Sequence, residues 1–333
     1  MKIGVVGAGS WGTALADLLA RGGHEVLIWA REPEVVESIN TIHQNTLFLP
    51  DAPLAESLRA VGEIGEAVRG AEIVVSAAPS HAVRRVAGDI AAALDGPRPP
   101  IVVSVSKGLE EESHKTMSDV LAETIPGTPI VALSGPSFAV EVYQRQPTAV
   151  VVASRDAGAA ETAQEAFSTS TFRVYTSTDV RGVELGGALK NVIAIAAGLL
   201  DGLGLGNNSR AALITRGLAE MTRVGEALGA SPTTFAGLAG MGDLILTATG
   251  ALSRNRSLGI ELAKGRSLDA ILAERRTVAE GVRTAKAALA LGREVGVELP
   301  ITSEVEQILF EGKSPEQAVR DLMGREPKAE HWR

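Results

Sequence analysis

Lys2-Ile3-Gly4-Val5-Val6-Gly7-Ala8-Gly9-Ser10-Trp11-Gly12 decides the fold. A short β-branched run from Lys2 to Val6 reads as a strand. Gly7, Gly9 and Gly12 then spell G-x-G-x-x-G, and Thr13 to Arg21 repeats small and apolar residues at helical spacing until Gly22-Gly23 ends the helix. His24 to Trp29 reads as a second strand. A lone G-x-G-x-x-G also suits an ordinary turn. Set between a strand and a helix, with a further strand behind it, the pattern reads as a dinucleotide-binding turn. Gly7 permits the tight bend, Gly9 lets the backbone approach a pyrophosphate, and Gly12 allows close helix–sheet packing. The free N–H groups at the helix start face the phosphates.

Outward from this turn, further strand-like runs occur at Ile73 to Ala77, Ile101 to Val105, Ile130 to Leu133, Ala149 to Ala153 and Phe172 to Tyr175. Most are continuously apolar, as expected where both faces of a sheet are covered, so the first half predicts a mostly parallel α/β sheet. After Thr178 the character changes. Val180 to Leu200 and Ala211 to Leu228 carry long helical patterns, and the remainder is rich in Ala, Leu, Glu and Arg. The expected architecture is a Rossmann-type α/β domain over 1–178 and an all-helical domain over 179–333, in keeping with a chain of 333 residues, too long for one ordinary core. The glycine-rich stretch Asp201 to Asn208 is expected to be a tight loop between two helices.

Composition narrows the chemistry. With no cysteine, disulfides, thiol catalysis, iron–sulfur clusters and cysteine-ligated zinc are excluded. His24, His43, His81, His114 and His331 form no HExxH or closely spaced pair, so no metal is expected. A net charge of −8 argues against extended contact with nucleic acid. The most hydrophobic segment, Asn191 to Leu200, stops at Asp201, so no integral membrane association is expected. The N-terminal run leads into glycines instead of a cleavage site, and the expected location is cytoplasmic.

Several residues stand where ligands would bind. At the tip of the second strand an NAD-selective protein would place an acid against the ribose 2′-hydroxyl, whereas this chain has Ala30 and Arg31, with Glu32 after them. Arginine suits a 2′-phosphate, which favours NADP over strict NAD; stacking over adenine or projection into water are the other readings of Arg31. The strand at 101–105 runs into Ser106-Lys107-Gly108, and that at 130–133 into Ser134-Gly135-Pro136-Ser137-Phe138-Ala139, both on the edge where such sheets bind ligands. Lys107 there would meet a phosphate or hydroxyl, unless it only solubilises the surface. His81, in the loop after Ile73 to Ala77, reads as a surface residue. In the second half, Lys190-Asn191 interrupts a helix of glycine, alanine and aliphatic residues. A lysine on that surface is costly unless it faces a ligand, an acid or water, which makes Lys190 the candidate proton donor. Asp243 and Thr247 follow in G-M-G-D-L-I-L-T, and Arg254, flanked by Ser253 and Asn255, offers a planar fork of donors for phosphate. Asp243 is suited to hold Lys190 or a substrate hydroxyl.

Taken together, VGAGSWGTALA, SKGLE, LSGPSFAVE, GVELGGALKNVIAIAAGLLDGLGLGNNSRAALITRGLAEM, GMGDLILTATGALSRNR and VAEGVRTAK resemble the bacterial NAD(P)-dependent glycerol-3-phosphate dehydrogenase family, in the right order and over residues 2 to 326. The KNVIAIAAG and SRNR blocks are far more specific than the glycine fingerprint. The resemblance implies Lys190 as the catalytic acid/base, with Lys107, Gly135, Ser137, Asp243, Ser253, Arg254 and Asn255 as substrate contacts and Asn191 and Thr247 in support. It implies Ser10, Trp11, Arg31, Lys107, Ala139, Arg254, Val278 and Glu280 as cofactor contacts. It further implies hydride transfer between NAD(P)H and dihydroxyacetone phosphate, giving the sn-glycerol 3-phosphate from which glycerophospholipids are built. The expected partners are this small phosphorylated substrate and a second copy in a homodimer. A β-hydroxyacid dehydrogenase would share the architecture but recognise a carboxylate, and a non-catalytic dinucleotide sensor would need only the first half.

Overall fold

The computed structural model describes residues 1–94, 99–274, 279–327 and 329–330. Ten strands are present among them: β1 (Lys2–Val6), β2 (Glu25–Trp29), β3 (Gln44–Asn45), β4 (Leu49–Pro53), β5 (Arg59–Val61), β6 (Ile73–Ser76), β7 (Ile101–Ser104), β8 (Ile130–Ser134), β9 (Thr148–Ala153) and β10 (Phe172–Ser177). Eight of them form one sheet in the order β10-β9-β8-β7-β6-β1-β2-β5. Every pair in it is parallel except β8–β9, and β3 and β4 form a separate antiparallel hairpin. The strand-like runs of the first half all become strands of the sheet. Those with no sequence signal are β5, only three residues long, and β3–β4, whose Leu49–Pro53 strand holds two prolines that no interior strand would tolerate.

β1 lies between β2 and β6, so chain connections leave it on opposite sides and a crevice opens beyond its carboxyl end. The helix Ser10–Arg21 starts there. Its buried face, including Leu15 and Leu19, joins Ile3, Val5, Ile28 and Ile73 in the core on one face of the sheet, while Val6, Val74, Val86 and Leu121 build the core on the other.

The second half is organised round the helix Val180–Gly202. Its mean hydropathy of 1.5 would suit a membrane span, but 94% of that window is buried inside the fold, which makes it a core helix. Helices Asn207–Ala227, Asp243–Thr249, Arg254–Ala263 and Glu280–Glu294 pack round it. Glycine makes the closest of these contacts possible. A Cβ on Gly198 would lie 2.0 Å from the Arg256 carbonyl oxygen, and one on Gly259 would lie 2.1 Å from that of Ile195. The central helix runs on through Gly202 and the next begins at Asn207, so the connection is shorter than the Asp201 to Asn208 loop expected from its glycines. Packed helix ends absorb the outer residues of that stretch.

Candidate active site

The glycine turn has the geometry its sequence implies. Gly7 has φ +124°, and a Cβ there would come within 2.8 Å of the Ala77 carbonyl oxygen; a Cβ on Gly12 would meet the Gly7 carbonyl oxygen at 1.9 Å. Gly9 differs from both. A Cβ on it meets nothing within 4 Å, so its backbone faces open space at the start of helix Ser10–Arg21. No side chain caps that helix and no acid occupies its first turn, which leaves its N–H groups and positive end to an anion. These residues fit the pyrophosphate of a dinucleotide. Ser10 donates through Oγ to the Phe48 carbonyl at 2.6 Å, and Trp11 packs on Ala14, Leu49 and Ala52, a cluster that Ala139 also joins. At the tip of β2, exposed Arg31 pairs through Nη2 with Glu32 at 2.6 Å.

A second group of residues gathers at the carboxyl ends of β7 and β8. Lys190, on the fourth turn or so of the central helix, is 5% exposed. Its Nζ donates to Asp243 Oδ1 and, at 2.9 Å, to Thr247 Oγ1. Lys107 Nζ reaches the other oxygen of Asp243 at 2.7 Å and the Gly135 carbonyl at 2.9 Å. One carboxylate thus lies between two ammonium groups from different halves of the chain. Burial pushes the Lys190 ammonium down to about 7, against the opposing pull of Asp243. Burial would raise the Asp243 carboxyl, but Lys107 and Lys190 together hold it below the usual carboxylate range.

The helix permits this arrangement because Gly186 and Gly187 precede the lysine. A Cβ on Gly186 would sit 2.6 Å from the Ala239 carbonyl oxygen, and one on Gly187 would sit 2.7 Å from Ser134 Oγ. Beside Lys190, the Asn191 amide donates to the Lys107 carbonyl at 3.3 Å, accepts from Asn255 Nδ2 at 3.0 Å, and so links to Gly281, whose N–H donates to Asn255 Oδ1 at 3.0 Å. This chain of amides ties the Lys107 loop to the first turns of two helices.

Of the residues singled out in the sequence, the fold therefore brings Lys107, Gly135, Lys190, Asn191, Asp243, Thr247 and Asn255 into one cluster. Ser137 is adjacent and donates to the Gly135 carbonyl at 2.9 Å. Ser253 caps the helix Arg254–Ala263 by accepting from the Arg256 N–H, which puts Arg254, itself exposed, at the first position of the helix. Ser10, Trp11 and Arg31 lie apart, round the glycine turn and the tip of β2. Glu280 faces the loop after β6, where its carboxylate accepts from the Ser80 N–H at 3.2 Å and from its hydroxyl. His81 is exposed on the adjoining turn. Val278 lies outside the described residues.

Sequence reading missed the supports. Asn45, fully buried in the β3–β4 hairpin, donates to the Ala8 carbonyl and to Thr13 Oγ1, both at 2.8 Å, and so braces the glycine turn. Glu184, on the first turns of the central helix, accepts from the Ser118 N–H at 2.8 Å and ties the two halves together. The only signal for Glu184 was an acid within an apolar pattern; Asn45 gave none.

The comparisons agree along the whole chain. Residues 2–160 match the family model described as NAD-dependent glycerol-3-phosphate dehydrogenase N-terminus, and residues 179–320 match that of the C-terminus. The glycerol-3-phosphate dehydrogenase [NAD(P)+] of Geobacter sp. (strain M21) is 54% identical over 332 residues, covering 99% of this chain and 98% of the relative. That of Myxococcus xanthus (strain DK1622) is 54% identical over 333 residues, covering 99% of each. The crystal structure of glycerol-3-phosphate dehydrogenase from Coxiella burnetii superposes with a TM-score of 0.93 at 38% identity, covering 97% of this chain and 98% of that one. A glycine turn that leaves a helix start open to an anion, a buried lysine–carboxylate cluster at the same sheet edge and these matches lead to one assignment: the chain belongs to the NAD(P)-dependent glycerol-3-phosphate dehydrogenase family and is an enzyme of that type.

Proposed function

We propose that Lys190 is the general acid/base of this glycerol-3-phosphate dehydrogenase, acting between dihydroxyacetone phosphate and sn-glycerol 3-phosphate. The observation that carries the reading is a buried lysine bonded to Asp243 and Thr247 at the carboxyl edge of the sheet, opposite Lys107. Bound NAD(P)H supplies the hydride that arrives at C2 of the ketone. As charge develops on the C2 oxygen, the Lys190 ammonium gives it a proton; in the oxidative direction the neutral amine takes that proton back. With both lysines protonated, the Lys107–Asp243–Lys190 group carries a net positive charge, which favours a forming alkoxide in a site shielded from water. Once Lys190 has given its proton the group is neutral, so the charge it offers disappears with the charge it stabilised. Asp243 aims Lys190 and favours its charged form, and Thr247 fixes a second direction.

Arg254, with Ser253 and Asn255, is assigned to the substrate phosphate at the start of helix Arg254–Ala263, where helix N–H groups favour an anion. Asn255 donates one amide hydrogen to Asn191, which holds it beside Arg254 at that helix start. Gly7, Gly9, Ser10, Trp11 and Gly12 are assigned to the dinucleotide together with Ala139 and Glu280. Exposed Arg31 favours NADP over NAD, although reaching a 2′-phosphate requires it to leave Glu32. The division at 178/179, between the end of β10 and the central helix, separates the nucleotide half from the half that completes the substrate site. A cytoplasmic homodimer is the assembly we assign.

The test is oxidation of NADPH and NADH with dihydroxyacetone phosphate, set against a panel of 3-hydroxy acids and their ketones. In the same assay Lys190→Ala lowers turnover at least about 100-fold while cofactor affinity is kept, the size expected for a positioned proton-transfer group. Turnover near that of the parent would remove Lys190 from this role.

A further inference from the structure

The turn that carries Ser253, Arg254 and Asn255 is held from outside, and we propose that Asp201 is the positioning residue of the substrate-phosphate subsite. The proposal rests on the assignment of that turn to the phosphate. Asp201 lies on the central helix about three turns beyond Lys190, on nearly the same face. Its side chain is 8% exposed and lies between two guanidinium groups. Oδ2 accepts from Arg256 Nε at 2.6 Å; Oδ1 accepts from Arg210 Nε at 3.0 Å and also from its Nη2.

Arg256 is thereby fixed at three points. Its side chain is bonded to Asp201, its carbonyl lies against Gly198 where even a methyl group would not fit, and its N–H donates to Ser253 Oγ at 3.2 Å. Arg254, exposed at the start of the same helix, takes its place from the backbone that Arg256 anchors. A buried ion pair is a poor source of net stability, because desolvating the charges offsets their attraction; its distinctive contribution is geometric. Here that geometry fixes the site to which the phosphate is tied. A misplacement of about 1 Å in a positioning group is enough to cost binding or rate.

The test uses the full-length enzyme and two substrates that share a reacting carbonyl, dihydroxyacetone phosphate and dihydroxyacetone. Asp201→Asn is expected to raise KM for the phosphorylated substrate by at least about tenfold, the size of one lost charge-assisted hydrogen bond, with kcat little changed. The value of kcat/KM for dihydroxyacetone should stay at that of the parent. Arg210→Gln breaks the other side of the Asp201 pair; it should lower the melting temperature yet leave KM for dihydroxyacetone phosphate within about twofold, since it removes no phosphate binding. If Asp201→Asn does not fold, Arg256→Lys, which keeps the charge but loses the planar fork, is expected to give the same split between substrates. Equal losses on both substrates, or an unchanged KM for dihydroxyacetone phosphate in every folded variant of the Asp201–Arg256 pair, would overturn the proposal. Arg254→Ala separates the two levels: a raised KM there with no effect at Asp201 and Arg256 rejects the positioning role alone, while no effect at Arg254 rejects the phosphate assignment beneath it.

Discussion

Replacing Asp243 by asparagine tests whether a buried carboxylate sets the charge of Lys190. Asp243 is 1% exposed and touches Lys190 through one oxygen and Lys107 through the other. Asparagine keeps the volume and one acceptor oxygen but removes the negative charge. Two unit charges about 4 Å apart at an effective dielectric near 20 attract by about 4 kcal/mol, which corresponds to roughly 3 pH units as an upper bound. Observed shifts from one opposite charge are about 1–3 units. Asp243 favours the ammonium, so its loss sends Lys190 further down from about 7. Reduction of dihydroxyacetone phosphate needs the ammonium, and activity falls as pH rises through that value. The alkaline limb of kcat against pH should therefore move toward acid by at least about one unit in Asp243→Asn. Above neutrality, the oxidative direction, which needs the amine, should become less dependent on pH. Initial rates of NADPH oxidation at saturating substrate, measured from acid to mildly alkaline pH on both proteins, decide the matter. An alkaline limb that stays in place would mean that Lys190 is not the group titrating, and the charge argument for the cluster would fail.

Gly9→Ala should leave the fold untouched, since a Cβ there meets nothing within 4 Å and φ is an ordinary −66°. The same methyl group would intrude on a pyrophosphate, so KM for NADPH should rise about tenfold or more at an unchanged melting temperature; an unchanged KM would refute backbone approach at Gly9. Arg31→Asp should turn the ratio of catalytic efficiencies from NADPH toward NADH, and equal ratios before and after would exclude phosphate reading by Arg31. Glu220, buried where it accepts from the Ile301 N–H at 2.6 Å, is raised by that burial to about 7. A carboxyl raised above its unfolded value of about 4.3 contributes stability present at low pH and lost as pH rises through 7. Denaturant unfolding of Glu220→Gln should accordingly gain on the parent between about pH 5 and 8, and parallel pH dependences would contradict it.

What could be read from the sequence was what carries a local cost. An apolar run ending in G-x-G-x-x-G has few other uses, and the turn at Gly7 has the positive φ and close contacts that its glycines imply. Lys190 stood out because a charge among glycine and alanine residues needs a reason, and that reason proved to be Asp243 and Thr247. The three unforeseen strands lacked such a signal: β5 is too short to show alternation, and the prolines of β4 argue against a strand. The supports were hidden for another reason. Asn45 looks like any polar loop residue until Ala8 and Thr13 are brought to it, and the Asn191–Asn255–Gly281 amides come from three separate helices. Asp201 falls in the stretch expected to be a loop, and nothing in the sequence pairs it with Arg256, although the two meet across the fold. Glycine lies between the two cases. Gly186 and Gly187 thin the helix beside Lys190, but the Ala239 carbonyl and the Ser134 hydroxyl that come close there are set by topology, which no spacing along the helix encodes. Residues with a local cost therefore locate the proposed proton-transfer and dinucleotide sites, whereas the residues that aim them have no cost until the chain is folded.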